Sequence, residues 1–187
     1  MSIQKTVFLF LSLLLLFSCN QGKTLAIPEI NADFIEDAKI DLSGAVFFLG
    51  PEIDHEQREI IADCDCCASD LAFLNDSSFI YVERCMGGDG YVKGFYFAFN
   101  GRVFLHIDGN TVSSEEDMLS EKISYTTNKQ KDSYLTYEIF NTTGKMLLCY
   151  KDGEYSEFGL KSKRVTLDDF LDEFRKEKVL RTFLEEK

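Results

Sequence analysis

This chain is poor in the residue types that usually carry chemistry. It has only two histidines and two prolines, and its 20 lysines and arginines never gather into a run. The segment Asp54-His55-Glu56-Gln57-Arg58-Glu59 lacks the second histidine that a His-Glu-x-x-His zinc site requires. His106 sits among phenylalanines in a strand-like pattern, which reads as structural rather than as a general base. Gly87, Gly88 and Gly90 follow a strand pattern but open no helix, which argues against a phosphate loop. Acids are plentiful but form no special pair, so the expectation is a protein that is not an enzyme, with no cofactor implied. Without clustered basic residues, nucleic acid is excluded as a partner and electrostatic docking on anionic headgroups is disfavoured. Scarce proline and the absence of low-complexity tracts leave little room for disorder beyond residues 20–42.

What is abundant is acid and aromatic side chains. The chain has 32 Asp and Glu, a formal charge of −12, 17 Phe and 8 Tyr. The acids are scattered, which describes a solvated surface rather than an acidic tail. The aromatics supply ample material for a core.

The first 22 residues form a recognisable address. Lys5 precedes an apolar run, Val7 to Phe17, broken only by Ser12 and ending Leu16-Phe17-Ser18-Cys19. That is a charged n-region, an h-region of signal-peptide length and a small residue before the cleavage point. The run is too short to cross ~30 Å of hydrocarbon comfortably. The cysteine that follows resembles the lipobox of bacterial lipoproteins, which implies a signal peptide over 1–18 and acylation of Cys19. Loss of 1–18 removes Lys5 and no acid, so the charge moves from −12 to −13. About 165 residues remain, enough for one domain. Residues 19–43 read as a lipid-anchored tether and 44–187 as the folded domain.

From Gly44 the pattern becomes alternation with aromatic enrichment, the mark of strands. Strands are expected over 45–49, 70–74, 78–84, 91–99, 102–108, 121–126, 134–140, 145–151 and 155–160. Asn100-Gly101 is a strong type I′ hairpin signal, and Asp108-Gly109-Asn110, Thr143-Gly144 and Asp152-Gly153 read as further turns. The segment 51–67 is the one long connection, with a helical turn expected at 56–62. Short strands joined by tight turns predict an all-β fold, a small antiparallel meander barrel of about eight strands. Near the end the period changes. Thr166 is a candidate N-cap, followed by Asp168 and Asp169 in the first turn and a helical stripe of Leu167, Phe170, Leu171 and Phe174. The stripe resumes rotated at Val179, Leu180, Phe183 and Leu184, so a kinked helix or two short ones are expected over about 166–187, packed outside the barrel.

A two-residue turn at Asn100-Gly101 puts Phe95, Phe97, Phe99, Phe104 and His106 on one face of its hairpin. Tyr96, Ala98, Val103, Leu105 and Ile107 fall on the other, as candidates for the barrel interior or a ligand. Both faces are apolar, so something should cover the second. The expected cover is the C-terminal helix, with Phe170 and Phe174 against the phenylalanines; a protein partner and an apolar ligand inside the barrel are the alternatives.

The hairpin Gly94-Phe95-Tyr96 to Val103-Phe104-Leu105 carries a family resemblance. It follows an Asn75-Asp76-Ser77-Ser78 turn, a Phe79-Ile80-Tyr81 strand and the loop Gly87-Gly88-Asp89-Gly90. This order resembles lipocalin-like bacterial lipoprotein domains over about residues 44–160. In outline it is similar to the N-terminal barrel of copper-associated envelope-stress lipoproteins, which also place cysteines before the first long hairpin. The family's usual Cys-x-x-Cys is here Cys64-Asp65-Cys66-Cys67. The resemblance implies an envelope location, the outer membrane in particular.

Five cysteines besides Cys19 remain in the mature chain: Cys64, Cys66, Cys67, Cys85 and Cys149. Export to an oxidising space makes disulfides the default, each worth about 2–4 kcal/mol. A turn centred on Asp76-Ser77 sets Cys85 opposite Ala68, and a small slip brings it to Cys67 or Cys66. Cys149 would reach Cys64 if the terminal strands close the barrel. The sharper alternative is a thiolate site at Cys64, Cys66 and Cys67 for Cu(I) or zinc, although zinc-knuckle spacing is absent. Three functions stay open on sequence alone. These are a binding or structural module for an apolar small molecule or a protein, copper or zinc handling, and an inhibitor or immunity protein for a secreted enzyme.

Overall fold

The structure is a computed structural model that describes residues 33–34, 40–54, 59–61, 68–117, 120, 122–142, 145–152 and 155–186. The strands are β1 (Asp33–Phe34), β2 (Val46–Gly50), β3 (Glu52–Asp54), β4 (Glu59–Ile61), β5 (Ala68–Phe73) and β6 (Ser78–Arg84). They continue with β7 (Gly90–Phe99), β8 (Arg102–Asp117), β9 (Lys122–Lys129), β10 (Ser133–Thr142), β11 (Lys145–Asp152) and β12 (Tyr155–Lys161). Two helices follow, α1 (Leu167–Lys176) and α2 (Lys178–Glu185).

Eight of these strands close an antiparallel barrel in the order β2-β5-β6-β7-β8-β10-β11-β12. β12 returns to β2, with Leu160 opposite Phe48, and β8 pairs with β10, with Val103 opposite Tyr137. β8 is 16 residues long, pairs with β7 along one edge and serves two partners in turn along the other. Its first half completes the barrel against β10, and its second half, still paired with β7, takes β9 on the other edge, Asn110 opposite Lys129. β1 adds to β10 through Phe34 and Phe140, and β3 and β4 form a separate hairpin.

Asn100-Gly101 makes the expected turn, with both φ angles positive at 47° and 68°. Phe99 then faces Arg102, Phe97 faces Phe104 and Phe95 faces His106. Asp108-Gly109-Asn110 is not a turn, because β8 runs straight through it. A Cβ on Gly109 would lie 2.0 Å from the Gln130 carbonyl oxygen, and Gln130 N–H donates back to the Gly109 carbonyl at 2.6 Å. The glycine is there for close backbone approach beside a bulge, a demand that looks the same in sequence as a turn. The helical turn expected at 56–62 is replaced in part by β4, where Ile60 pairs with Ile53. The stretch expected to be a tether contributes β1 and seats Leu42 in the core at 1% exposure.

An eight-stranded barrel has an interior just wide enough to be filled by side chains or to hold one small ligand. Here Phe47, Leu49, Leu71, Phe73, Phe79 and Tyr96 fill it from β2, β5, β6 and β7, and Val103, Leu105, Tyr137, Ile139 and Leu148 from β8, β10 and β11. Leu42 plugs one end, where Ala45 N–H donates to the Leu42 carbonyl at 2.9 Å and Tyr96 hydroxyl to the Asn75 carbonyl at 2.7 Å. The turns at Asn75–Ser77 and Asn100-Gly101 belong to this closed end. The other end, formed by Gly50, Ala68, Arg84, Gly90 and Ser133, is the mouth.

The helices build a second core outside the wall. Thr166 and Asp169 form a capping box, each side chain accepting the other's backbone N–H, at 3.2 and 2.9 Å. The chain breaks at Glu177 into the two short helices anticipated. Their buried face, Phe170, Phe174, Leu180 and Phe183, packs on Val46, Ala72, Ile80, Val82, Tyr91 and Val112. Each such side chain is worth about 1.5–3 kcal/mol when buried. Lys93 fixes the end of α2 by donating to the carbonyls of Phe183 and Glu186, at 2.5 and 2.6 Å, where the helix dipole favours a cation. The helices therefore do not cover Phe95, Phe97, Phe99 and Phe104. They cover the outward face of β6 and the start of β7, where Ile80, Val82 and Tyr91 give an apolar seat and Arg84 an ion pair to Glu173.

Candidate functional site

The barrel interior changes character towards the mouth. Four inward side chains there are polar: Ser69 from β5, Tyr81 from β6, Tyr137 from β10 and Glu157 from β12. Glu157 pairs across the ladder with Tyr150, a core neighbour, and so points inward. It is 6% exposed. Tyr137 hydroxyl donates to its Oε2, and Tyr81 hydroxyl lies 3.0 Å from its Oε1 and 2.9 Å from Ser69 Oγ. Tyr81 has one proton; the carboxylate is the stronger acceptor and takes it, which leaves Ser69 to donate to Tyr81. Charge-assisted bonds of this kind offset the large cost of burying a carboxylate. The cluster marks the level at which hydrocarbon stops filling the barrel.

Above it lies a cavity of about 410 Å³. Tyr81 belongs to both floor and wall. Val92, Ile107 and Leu135 give the wall its apolar part, while Thr111, Ser113 and Ser133 bring hydroxyls. The outgoing half of β8 and β9 raise this wall beyond the rim of the barrel, through Asn128 and Gln130. The volume falls within the ~300–1,000 Å³ of small-molecule sites, and Glu83 and Lys131 in the lining make this wall more polar than most such pockets. Of the expected interior residues, Tyr96, Ala98, Val103, Leu105 and Ile107 all belong to the barrel core, and only Ile107 reaches the cavity.

Outside the mouth, Arg84 ties the helices to the barrel. Its guanidinium meets Asp70 at 3.0 Å, Asp89 at 2.8 Å and Glu173 of α1 at 2.9 Å. Tyr91 hydroxyl adds a 2.7 Å bond to Glu173. Burial lowers the Arg84 pKa, but the hydrogen bonds and charges of Glu173 and Asp70 outweigh it, so the guanidinium stays charged. One cation is shared by three carboxylates, so for Asp70 burial wins over Arg84 and its carboxyl is held above the usual range.

Cys85 closes β6 and is disulfide-bonded. Ala68 pairs with Arg84, one residue short of the expected register, so Cys85 lies just past the last described pair of the ladder. Cys64, Cys66 and Cys67 lie outside the described residues, as do Cys19 and His55. Peptide mapping of the oxidised protein is expected to recover Cys85 crosslinked to the peptide carrying Cys64–Cys67; a crosslink to Cys149 would contradict the register. Cys149 itself is buried in β11. Among the described residues no three His, Cys, Asp or Glu side chains are placed to hold a metal ion. Phe95, Phe97 and Phe99 lie on the outer surface, and His106 stands with them, stacked on Tyr134 at 4.7 Å.

A barrel of this build, closed by eight antiparallel strands and open at one end, is similar in fold to the streptavidin-like and lipocalin-like barrels. The crystal structure of a streptavidin-like protein from Bacteroides eggerthii DSM 20697 is similar to it with a TM-score of 0.54 and 8% identity, over 76% of this chain and 94% of that one. At that identity the likeness concerns the fold alone. No protein-family model and no curated protein matches the chain.

Proposed function

We propose that this protein is a lipid-anchored envelope lipoprotein that binds a small, partly polar molecule in the mouth of its barrel and performs no catalysis. The cavity of about 410 Å³ carries this reading, because it opens at the mouth of an otherwise filled barrel and is lined by Tyr81, whose hydroxyl donates to the buried Glu157 at 3.0 Å. The name of the similar solved protein, streptavidin-like, agrees with a binding barrel. The lipobox-like run to Cys19 supports the anchor, and the outer membrane is the proposed location. The first described strand, β1, joins β10 at the closed end, opposite the mouth, so an anchor ahead of it would leave the mouth open to solvent.

Native mass spectrometry of the protein purified from its own envelope tests the binding. A bound species of small-molecule mass is expected on the wild type and lost in Ser133→Trp, where an exposed rim serine gains a ring that fills the mouth. A spectrum without a bound species, or an adduct that survives the substitution, would count against the site.

A further inference from the structure

The outer face of β7, β8 and β10 carries three rows of paired side chains. Phe95, His106 and Tyr134 form one, Phe97, Phe104 and Thr136 the next, and Phe99, Arg102 and Glu138 the last. Phe95, Phe97, Phe99 and Tyr134 are 58%, 60%, 65% and 74% exposed. Phe97 and Phe104 stack at 4.6 Å, and His106 and Tyr134 at 4.7 Å. Monomers seldom leave so contiguous an apolar patch to water. Its three rows carry only one pair of charges, Arg102 and Glu138 at 3.1 Å, on a chain of net charge −12, and Asp132 stands at the margin, 3.2 Å from His106.

Its position says what covers it. Phe99 adjoins the turn at the closed end, and β1 meets β10 at Phe140, two residues beyond Glu138 in the last row. The chain therefore enters the barrel at the edge of the patch. Between Cys19 and β1 lie 13 residues, a stretch that spans at most about 50 Å when fully extended. Repulsion between acidic protein and anionic headgroups is small at a face that carries so few charges, and phenylalanine rings bury favourably at the headgroup–acyl boundary. We propose that this aromatic face docks on the phospholipid bilayer that holds the anchor, laying the barrel on its side with the β7–β8–β10 wall against the lipid. The inference rests on the acylation of Cys19 proposed above.

The chain has no tryptophan, so a single introduced indole reports alone. Acylated full-length mature protein carrying Phe97→Trp is reconstituted into phosphatidylethanolamine–phosphatidylglycerol vesicles doped with brominated phosphatidylcholine. The expected result is emission shifted to shorter wavelength and largely quenched by the bromines. Ile123→Trp, exposed on β9 beyond the mouth, is expected to show neither effect. Intact mass reads the acyl chains independently. An acylated Phe97→Trp protein without quenching overturns the docking and leaves the anchor standing. A protein without acyl chains removes the anchor and the docking with it. A blue shift that grows with protein density but ignores the bromines assigns the face to a second copy of the chain, which also overturns the proposal.

Discussion

Phe73→Ala is expected to cost about 3–5 kcal/mol in denaturant unfolding, a large share of what a domain of this size has. The ring is fully buried at the closed end of the barrel, edge-on to Phe47 at 5.8 Å and to Tyr96 at 4.6 Å. Its backbone is also fixed there, because Phe73 N–H donates to the Ala45 carbonyl and Gly44 N–H to the Phe73 carbonyl, at 2.9 and 2.8 Å. The strand cannot collapse into the space the ring leaves, so the cost includes a cavity as well as lost transfer energy. Phe97→Ala, on the exposed face, is expected to cost less than about 1 kcal/mol in detergent-free solution. Similar losses at the two positions would mean that the barrel interior is not packed as described.

Arg84→Ala is expected to destabilise the protein by about 2–3 kcal/mol near neutral pH. That is less than breaking a fully buried pair costs, because the cluster is partly solvated. The change leaves Asp70, Asp89 and Glu173 facing one another without their common cation, and it frees α1 from the rim of the barrel. The pH dependence separates charge from packing. In the wild type, burial already holds the Asp70 carboxyl above its ordinary range. Ionised Asp70 is therefore a liability in the folded state. Its contribution improves as pH falls through the folded pKa and is complete below the unfolded value, near 4. Removing the arginine raises that pKa further, so the gap between variant and wild type should narrow from about pH 7 to about pH 4. A gap that is constant with pH would assign the loss to the side chain's packing alone.

Much of the fold is legible wherever adjacent strands meet at a turn with distinctive chemistry. Asn100-Gly101 predicts its hairpin pair by pair, and Thr166 with Asp169 marks the start of α1. Sequence says less where the partner is distant. Nothing local in β8 announces that its two halves serve different strands, because the division depends on where β10 returns. The destination of the helices is equally hidden, since Phe95–Phe99 and the Ile80–Tyr91 surface are both apolar and only the second also offers Arg84 and Lys93 to α1 and α2. The polar floor is hidden for a similar reason. In β12, hydropathy alternation favours Phe158 and Leu160 as the inward residues, yet both face outward and are buried there, while Glu157 and Gly159 face in. Covering both faces of a strand removes the contrast on which alternation depends. The only signal available was an acid in register with Tyr150 across the β11–β12 turn.

The central claim is that the barrel mouth, and not its filled end, is the binding site. Methyl NMR of the labelled full chain, titrated with the small-molecule extract of its own envelope, tests it most directly. The account predicts that the methyl signals of Val92, Ile107, Thr111 and Leu135 move together, while those of Val103, Leu105 and Ile139 in the filled barrel stay in place. Shifts confined to the filled end, or no shift at the four mouth methyls, would contradict it.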